Sequence, residues 1–102
     1  MSLTQMKVED NIIKLTGKLN FQSVPDIQKR LVKLLPTQSV WTIDLAGITF
    51  SDSSGVALLA DCVRMAQKHN FNIGFKAMPE QMSAMAKVTG IDIILGLGAK
   101  DG

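Results

Sequence analysis

Four consecutive residues, Asp52-Ser53-Ser54-Gly55, bring one carboxylate and two hydroxyls together just before a long apolar pattern. Aspartate and serine are favoured at the N-cap and first turn of a helix, where their oxygens accept hydrogen bonds from free backbone N–H groups. Gly55 has no side chain, so we expect it to let another molecule approach the backbone closely. The sequence therefore predicts a strand–loop–helix corner at the positive end of a helix dipole.

The chemistry of this corner has two interpretations. In the simpler one, the Asp-Ser-Ser run only caps a helix, as any such run before an apolar segment would. In the functional one, a serine accepts a phosphate, which adds up to about two negative charges beside Asp52. A helix N-terminus tolerates that charge, whereas a partner packed on the corner would not. The modification would then switch binding without unfolding the domain.

Catalytic and metal-binding patterns are missing from the sequence around this corner. Ser53 or Ser54 would need a base to act as a nucleophile, and His69 is the one histidine of the chain. A single helix joining Ser53 to His69 would hold them about 24 Å apart at 1.5 Å per residue. No Asp, Glu or Cys lies at ligand spacing from His69, and no glycine-rich phosphate loop with a lysine is present. We therefore expect a binding module with no enzyme activity, cofactor or metal.

Length and composition indicate one ordinary globular domain spanning residues 1–102. The 102 residues are 46% hydrophobic and carry a formal net charge of +2. That charge is too small and too dispersed to indicate binding to nucleic acid or to a membrane surface. The single cysteine, Cys62, excludes an internal disulfide and favours a reducing compartment. Since the sequence has neither a signal pattern nor an apolar run of about 20 residues, we expect a cytoplasmic protein that reaches a membrane only through a partner.

The elements predicted to position the corner alternate between strands and helices. Hydrophobic periodicity predicts strands at Gln5–Val8, Ile12–Thr16, Ser39–Leu45, Phe71–Lys76 and Ile91–Leu97, and helices that begin at Ser23, Ser53 and Pro79. The order β-β-α-β-α-β-α-β implies parallel neighbours, and the opening hairpin makes the sheet mixed. The fold class is therefore α/β, with a mixed sheet of four to five strands covered by helices. Sites in such sheets lie beyond the carboxyl ends of strands, where the corner is predicted.

Three local expectations concern the surroundings of the corner. Gly17-Lys18-Leu19-Asn20 is predicted to be a loop, with Phe21 as an anchor from that loop into the core. Ser23 is the predicted N-cap of the next helix, with Asp26 completing a pair that resembles a capping box. Val56 and Leu59 begin the apolar stripe of the corner helix, which is wide enough for its margin to bind a partner.

The element order, the strand end at Asp44-Leu45 and the run Asp52-Ser53-Ser54-Gly55-Val56-Ala57-Leu58-Leu59 resemble the STAS domain over nearly the whole chain. This is the domain of bacterial anti-sigma-factor antagonists and of the cytoplasmic tails of sulfate transporters. The resemblance implies a STAS (SpoIIAA-like) fold and a non-enzymatic protein that acts by binding a partner. It implies that the partner-binding residues are Asp52, Ser53, Ser54, Gly55, Val56 and Leu59. It also implies that the chain can form a weak homodimer.

Two branches of this family imply different functions. In the antagonists, a kinase anti-sigma factor phosphorylates the serine directly after the aspartate, which is Ser53 here. The antagonist loop that usually reads Gly-Glu-Leu-Asp is Gly17-Lys18-Leu19-Asn20 in this chain, so its acidic pair is replaced. Small stand-alone members instead bind the cytoplasmic ATPase subunit of the Mla-type ABC transporter, which moves phospholipids between the bacterial inner and outer membranes. The stretch Met85–Ile91 resembles the ending of that second branch.

The resemblance favours the transporter branch. We therefore expect a cytoplasmic accessory subunit that lies beside the inner membrane through its ATPase partner and contacts it at residues 52–55. The alternative is an anti-sigma-factor antagonist switched by phosphorylation of Ser53. A third interpretation, nucleotide binding at the corner, is also open because some family members have been proposed to bind nucleotides.

Overall fold

The computed structural model describes residues 4–91, which form a four-stranded sheet and three α-helices. The strands are β1 (Gln5–Glu9), β2 (Ile12–Leu19), β3 (Val40–Ser51) and β4 (Asn72–Lys76), and the helices are α1 (Val24–Leu34), α2 (Ser53–His69) and α3 (Glu80–Thr89). In the order β1-β2-β3-β4, the first pair is antiparallel and the other two pairs are parallel. The predicted α/β class and mixed sheet are confirmed. The predicted last strand, Ile91–Leu97, lies outside the described residues except for Ile91.

The core lies between one face of the sheet and the three helices. Because side chains alternate along a strand, the buried side chains of β3 from Trp41 to Leu45 point to the same face. Buried residues of β2 and of all three helices join them in one cluster, among them Ile13, Leu15, Ile27, Leu31, Leu59 and Met82. On the opposite face, Lys14 is exposed and Thr42 and Asp44 are half-buried. The described helices therefore pack on a single face of the sheet.

Strand β3 is longer than the sequence predicts. The expected strand ends at Leu45 and a loop follows, whereas β3 continues to Ser51. The pairing of β3 with β2 changes register twice. The first change lies between the Cα pairs Lys14–Asp44 and Thr16–Gly47, and the second lies between the pairs Gly17–Ile48 and Lys18–Phe50. Each change is a β-bulge, which adds one residue to β3 and reverses the alternation of its side chains. The predicted loop was wrong because these bulges remove the two-residue period that marks a strand.

Strand β2 is also longer than predicted, and the turn after it differs. The predicted loop at Gly17–Asn20 is wrong, because β2 continues to a fully buried Leu19. Phe21 is 71% exposed and does not anchor the loop in the core. Asn20 closes a tight turn, since its Oδ1 accepts hydrogen bonds from the N–H groups of Gln22 and Ser23, both at 3.0 Å. This turn leaves Leu19 inside the core and Phe21 outside it.

Ser23 lies at the N-cap of α1, but its side chain does not cap the helix. Its Oγ donates a hydrogen bond to the carbonyl oxygen of Lys18 at 2.7 Å and accepts one from the N–H of Asn20 at 3.1 Å. The predicted capping-box-like pair with Asp26 is therefore wrong. Ser23 instead stabilises the turn that joins β2 to α1.

Helix α2 begins at the residue that the sequence predicts. It begins at Ser53 after the N-cap Asp52, and Asn70 ends it in the left-handed conformation at φ 59°. The next helix, α3, likewise ends at Gly90 with φ 77°. Among residues 4–91, none of the helices has the length and hydropathy that crossing a membrane requires.

The thiol of Cys62 gives the domain a predicted sensitivity to alkaline pH. Burial, with a smaller contribution from the negative charge of Asp61, raises the pKa of Cys62 from an ordinary value of 9.0 to about 12. Above pH 9 the unfolded chain loses this proton first, so the free energy of unfolding is expected to fall by about 1.4 kcal/mol per pH unit between pH 9 and 12.

Urea denaturation between pH 8 and 11 measures this loss. Cys62→Ala is the matched control, because it keeps every other titrating group and lacks the thiol. Stability should fall more steeply with pH in the unmodified chain than in Cys62→Ala. Parallel curves for the two proteins would contradict the prediction.

Candidate functional site

The corner lies at the carboxyl edge of the sheet, where β3 ends and α2 begins. Asp52 is extended, with φ −94° and ψ −171°, and connects Ser51 to the first turn of the helix. Its N–H donates a hydrogen bond to the carbonyl oxygen of Leu19 at 3.0 Å. The ends of the two parallel strands β2 and β3 are thereby joined at the corner. The structure confirms the predicted position beyond the carboxyl end of a central strand.

The carboxylate of Asp52 holds two segments of backbone. Its Oδ1 accepts a hydrogen bond from the N–H of Ser54 at 2.8 Å, which caps α2 as predicted. Its Oδ2 accepts a hydrogen bond from the N–H of Phe21 at 3.2 Å. Because both oxygens are used by this chain, Asp52 fixes the β2–α1 turn against the start of α2. Its role in the corner is therefore to position neighbouring residues.

Gln81, in the first turn of α3, completes the end of β3. Its Nε2 donates to the carbonyl oxygen of Ser51 at 2.9 Å, and its Oε1 accepts from the N–H of Ser51 at 3.2 Å. Strand β4 pairs with β3 only from Val40 to Asp44. The side-chain amide of Gln81 therefore supplies the hydrogen bonds that a neighbouring strand would otherwise make with Ser51. Sequence reasoning missed Gln81, and the available signal was that a strand end needs partners for its backbone groups.

Gln81→Ala is expected to lower the free energy of unfolding by about 1–3 kcal/mol, because it leaves the backbone groups of Ser51 without partners. Chemical denaturation measures the change. Gln67→Ala in α2 is the matched control, since Gln67 is exposed and its side chain makes no hydrogen bond with the described residues. Equal stability of the two variants would show that the amide contributes nothing.

Gly55 is buried, and the space beside it is filled by this chain. A Cβ atom built there would lie 2.1 Å from Oγ of Ser51 and 2.8 Å from Cβ of Leu19. The expectation that Gly55 opens its backbone to another molecule is therefore wrong. Val56 and Leu59 are 1% and 0% exposed, which corrects the expectation that their side chains face a partner. These three residues support the corner from inside the core.

Ser53 presents the most accessible hydroxyl of the corner. It is exposed at the first position of α2, and its hydroxyl makes no hydrogen bond with residues 4–91. Ser54 is half-buried, and its N–H is bound to Asp52. A negative group on Ser53 would lie at the helix N-terminus, where the helix dipole stabilises it. The geometry therefore suits a hydroxyl that binds a partner or accepts a phosphate.

Catalytic chemistry through a serine and a histidine does not fit this arrangement. Ser53 and His69 are the first and last residues of the 17-residue helix α2, about 24 Å apart along its axis. Within the described residues, no group of three or more His, Cys, Asp or Glu side chains is placed to hold a metal ion.

The accessible surface at the corner includes two aromatic side chains that sequence reasoning did not assign to it. Phe21 is 71% exposed and Phe50 is 43% exposed. Lys18 is exposed next to Phe50, its Cα partner across β2 and β3. We call Lys18, Phe21, Phe50 and Ser53 the corner surface. Sequence reasoning missed Phe50 because it lies beyond the two bulges of β3.

Comparisons with known proteins identify relatives of this chain. The family model described as "Mlab, STAS domain" matches residues 2–97. The anti-sigma-B factor antagonist of Bacillus subtilis (strain 168) is 22% identical over 88 residues, which cover 86% of this chain and 81% of the relative.

Solved structures show the same fold at low sequence identity. The Bacillus cell fate determinant SpoIIAA in its phosphorylated form is 17% identical, with a TM-score of 0.67 over 88% of this chain and 86% of that chain. The crystal structure of Mglu is 22% identical, with a TM-score of 0.59 over 74% of this chain but only 19% of that longer chain. The family model spans nearly the whole sequence, and the sheet and helices have the α/β fold that the sequence predicts. This chain therefore belongs to the STAS domain family described as Mlab.

Proposed function

We propose that this chain is a non-enzymatic subunit of an Mla-type ABC transporter, which moves phospholipids between the bacterial inner and outer membranes. The observation that carries the proposal is the match of residues 2–97 to the family model described as Mlab. The partner is the cytoplasmic ATPase subunit, and this chain lies in the cytoplasm and reaches the inner membrane through that complex. Residues 1–102 act as one domain without a cofactor or metal.

The proposed contact is the corner at residues 52–55. Ser53 is exposed there, while hydrogen bonds from the N–H groups of Ser54 and Phe21 to Asp52 fix the backbone around it. Gly55 lets α2 pack closely on β2 and β3. A partner that packs on this surface meets a neutral hydroxyl at a helix N-terminus. Such a contact is sensitive to any negative charge added at Ser53.

The second candidate function is an anti-sigma-factor antagonist that is switched by phosphorylation of Ser53. It is supported by the exposed hydroxyl of Ser53 and by the similarity to the Bacillus subtilis antagonist. A kinase anti-sigma factor would then be the partner. Lys18 and Asn20 replace the two acidic residues that the antagonist loop usually carries, which favours the transporter subunit.

Affinity capture separates the two functions. The tagged chain is captured from its own detergent-solubilised cells, and the bound proteins are identified by mass spectrometry. Recovery of an ABC ATPase together with its membrane permease supports the transporter subunit. Recovery of a small soluble kinase-like protein, with a slower band on a phosphate-affinity gel that Ser53→Ala removes, supports the antagonist.

Calorimetry with ATP and GTP tests nucleotide binding at the corner separately. Heat of binding that Ser53→Glu abolishes would support that third interpretation. Absence of heat with both nucleotides would remove it.

A further inference from the structure

Two exposed aromatic side chains flank the corner. Phe21 follows β2 by two residues, and Phe50 precedes Asp52 by two residues near the end of β3. The Cα pairing of Lys18 with Phe50 and of Leu19 with Ser51 aligns the ends of these strands. Since paired strands lie about 4.8 Å apart, both aromatic residues are at the same edge of the sheet.

The turn that carries Phe21 is held in one conformation by side chains on both sides. The N–H of Phe21 donates to Oδ2 of Asp52 at 3.2 Å. Asn20 binds the two N–H groups that follow, and Ser23 Oγ donates to the carbonyl oxygen of Lys18 at 2.7 Å. Phe21 itself adds little to the core, because 71% of it is exposed. A fixed turn with an exposed aromatic side chain loses little conformational entropy when a partner covers it.

The charge of the corner surface indicates the chemistry of the partner. Both oxygens of Asp52 accept backbone hydrogen bonds, and the N-terminus of α2 adds partial positive charge. Lys18 is exposed at the same edge and makes no ion pair with the described residues. A partner with an acidic group beside an apolar pocket is therefore complementary to this surface.

We propose that the corner surface binds an apolar pocket of a protein partner, with Phe21 inserted as the anchor, Phe50 at the border and a partner carboxylate facing Lys18. The inference rests on the proposed function, in which that partner is the ATPase subunit. Buried aromatic anchors supply most of the binding free energy in many interfaces.

A membrane is a less suitable occupant than a protein. Stable attachment to a bilayer needs a larger apolar face or a cluster of basic residues. The corner surface offers two aromatic side chains and one lysine, and the whole chain has a net charge of +2. We therefore assign the surface to a protein.

Calorimetry with the purified ATPase subunit tests the assignment. Phe21→Ala is expected to weaken binding at least about 30-fold, a hot-spot effect, and Lys18→Glu at least about tenfold through charge reversal beside the partner carboxylate. Val88→Ala and Lys87→Glu in α3 are matched controls that should bind normally, since Val88 is 87% exposed and Lys87 is also exposed. Thermal unfolding of each variant checks that the fold is unchanged.

The outcomes separate this inference from the proposed function. If Phe21→Ala and Lys18→Glu bind like the unmodified chain, the inference is overturned while the transporter role stands. If the unmodified chain does not bind the ATPase subunit, both are overturned. Co-sedimentation with phosphatidylglycerol vesicles should show no binding, and vesicle binding that Phe21→Ala abolishes would assign the surface to a membrane.

Discussion

Gly55→Ala is expected to lower the free energy of unfolding by about 3 kcal/mol, the upper part of the range for overpacked cores. The added methyl group would lie 2.1 Å from Oγ of Ser51 and 2.8 Å from Cβ of Leu19. Ser51 Oγ donates to the carbonyl oxygen of Asp52 at 2.8 Å, and Leu19 Cβ is attached to the backbone of β2. Ser51 Oγ can move aside only by rotating about χ1 and breaking that hydrogen bond, and Leu19 Cβ can move only together with the backbone of β2. The melting temperature should fall by about 10–20 °C for a domain of this size.

Gly74→Ala is the matched control for this substitution. Apart from Gly74 and its two chain neighbours, no atom of residues 4–91 lies within 4 Å of the Cβ position at Gly74, in β4. Its free energy of unfolding should change by no more than about 0.5 kcal/mol, as for substitutions away from packed features. The double variant Ser51→Ala/Gly55→Ala should lose less stability than the sum of its single variants, because it removes the closest contact. Equal stability of Gly55→Ala and Gly74→Ala would contradict the packing explanation.

The ends of α2 were predictable because they depend on residues close in sequence. Asp52 accepts a hydrogen bond from Ser54, two residues away, and Asn70 adopts the left-handed conformation that often ends a helix. The end of β3 was not predictable in the same way. Its bulges exist only in pairing with β2, some 30 residues earlier in the chain. The alternation of apolar and polar residues along the sequence does not indicate that register.

The same distinction applies to the candidate site. The Asp-Ser-Ser run predicted a helix start with two serines, and the resemblance to the antagonists pointed to Ser53 as the one that a kinase modifies. The structure places Ser53 exposed at the first position of α2. Gly55 was misinterpreted because its neighbours, Leu19 and Ser51, come close only when α2 packs on the sheet. Phe21 was misplaced because hydrophobicity favours burial, whereas the turn at Asn20 directs it outwards. Local chemistry identified the corner, and long-range packing decides which of its side chains a partner can touch.

Ser53→Glu is expected to weaken binding to the ATPase subunit at least about 100-fold, which corresponds to about 2.7 kcal/mol. Ser53 is exposed at the centre of the proposed contact, and a partner packed on it would bury the new charge. The substitution places a carboxylate in the first turn of α2, where the helix dipole favours it by about 0.3–1 kcal/mol. The free energy of unfolding should therefore stay equal or rise slightly.

The combination of weaker binding with unchanged or higher stability is the decisive feature of this prediction, because a folding defect would lower both. Calorimetric titration gives the affinity and chemical denaturation gives the stability of the same protein preparations. Ser39→Glu is the matched control, since Ser39 is an exposed serine just before Val40, at the other end of the 12-residue strand β3. Ser53→Ala separates charge from loss of the hydroxyl and should bind within about threefold of the unmodified chain, since truncation of most interface residues costs under about 1 kcal/mol. If Ser53→Glu binds as tightly as Ser39→Glu, the partner does not cover the first turn of α2, and the corner is not its contact.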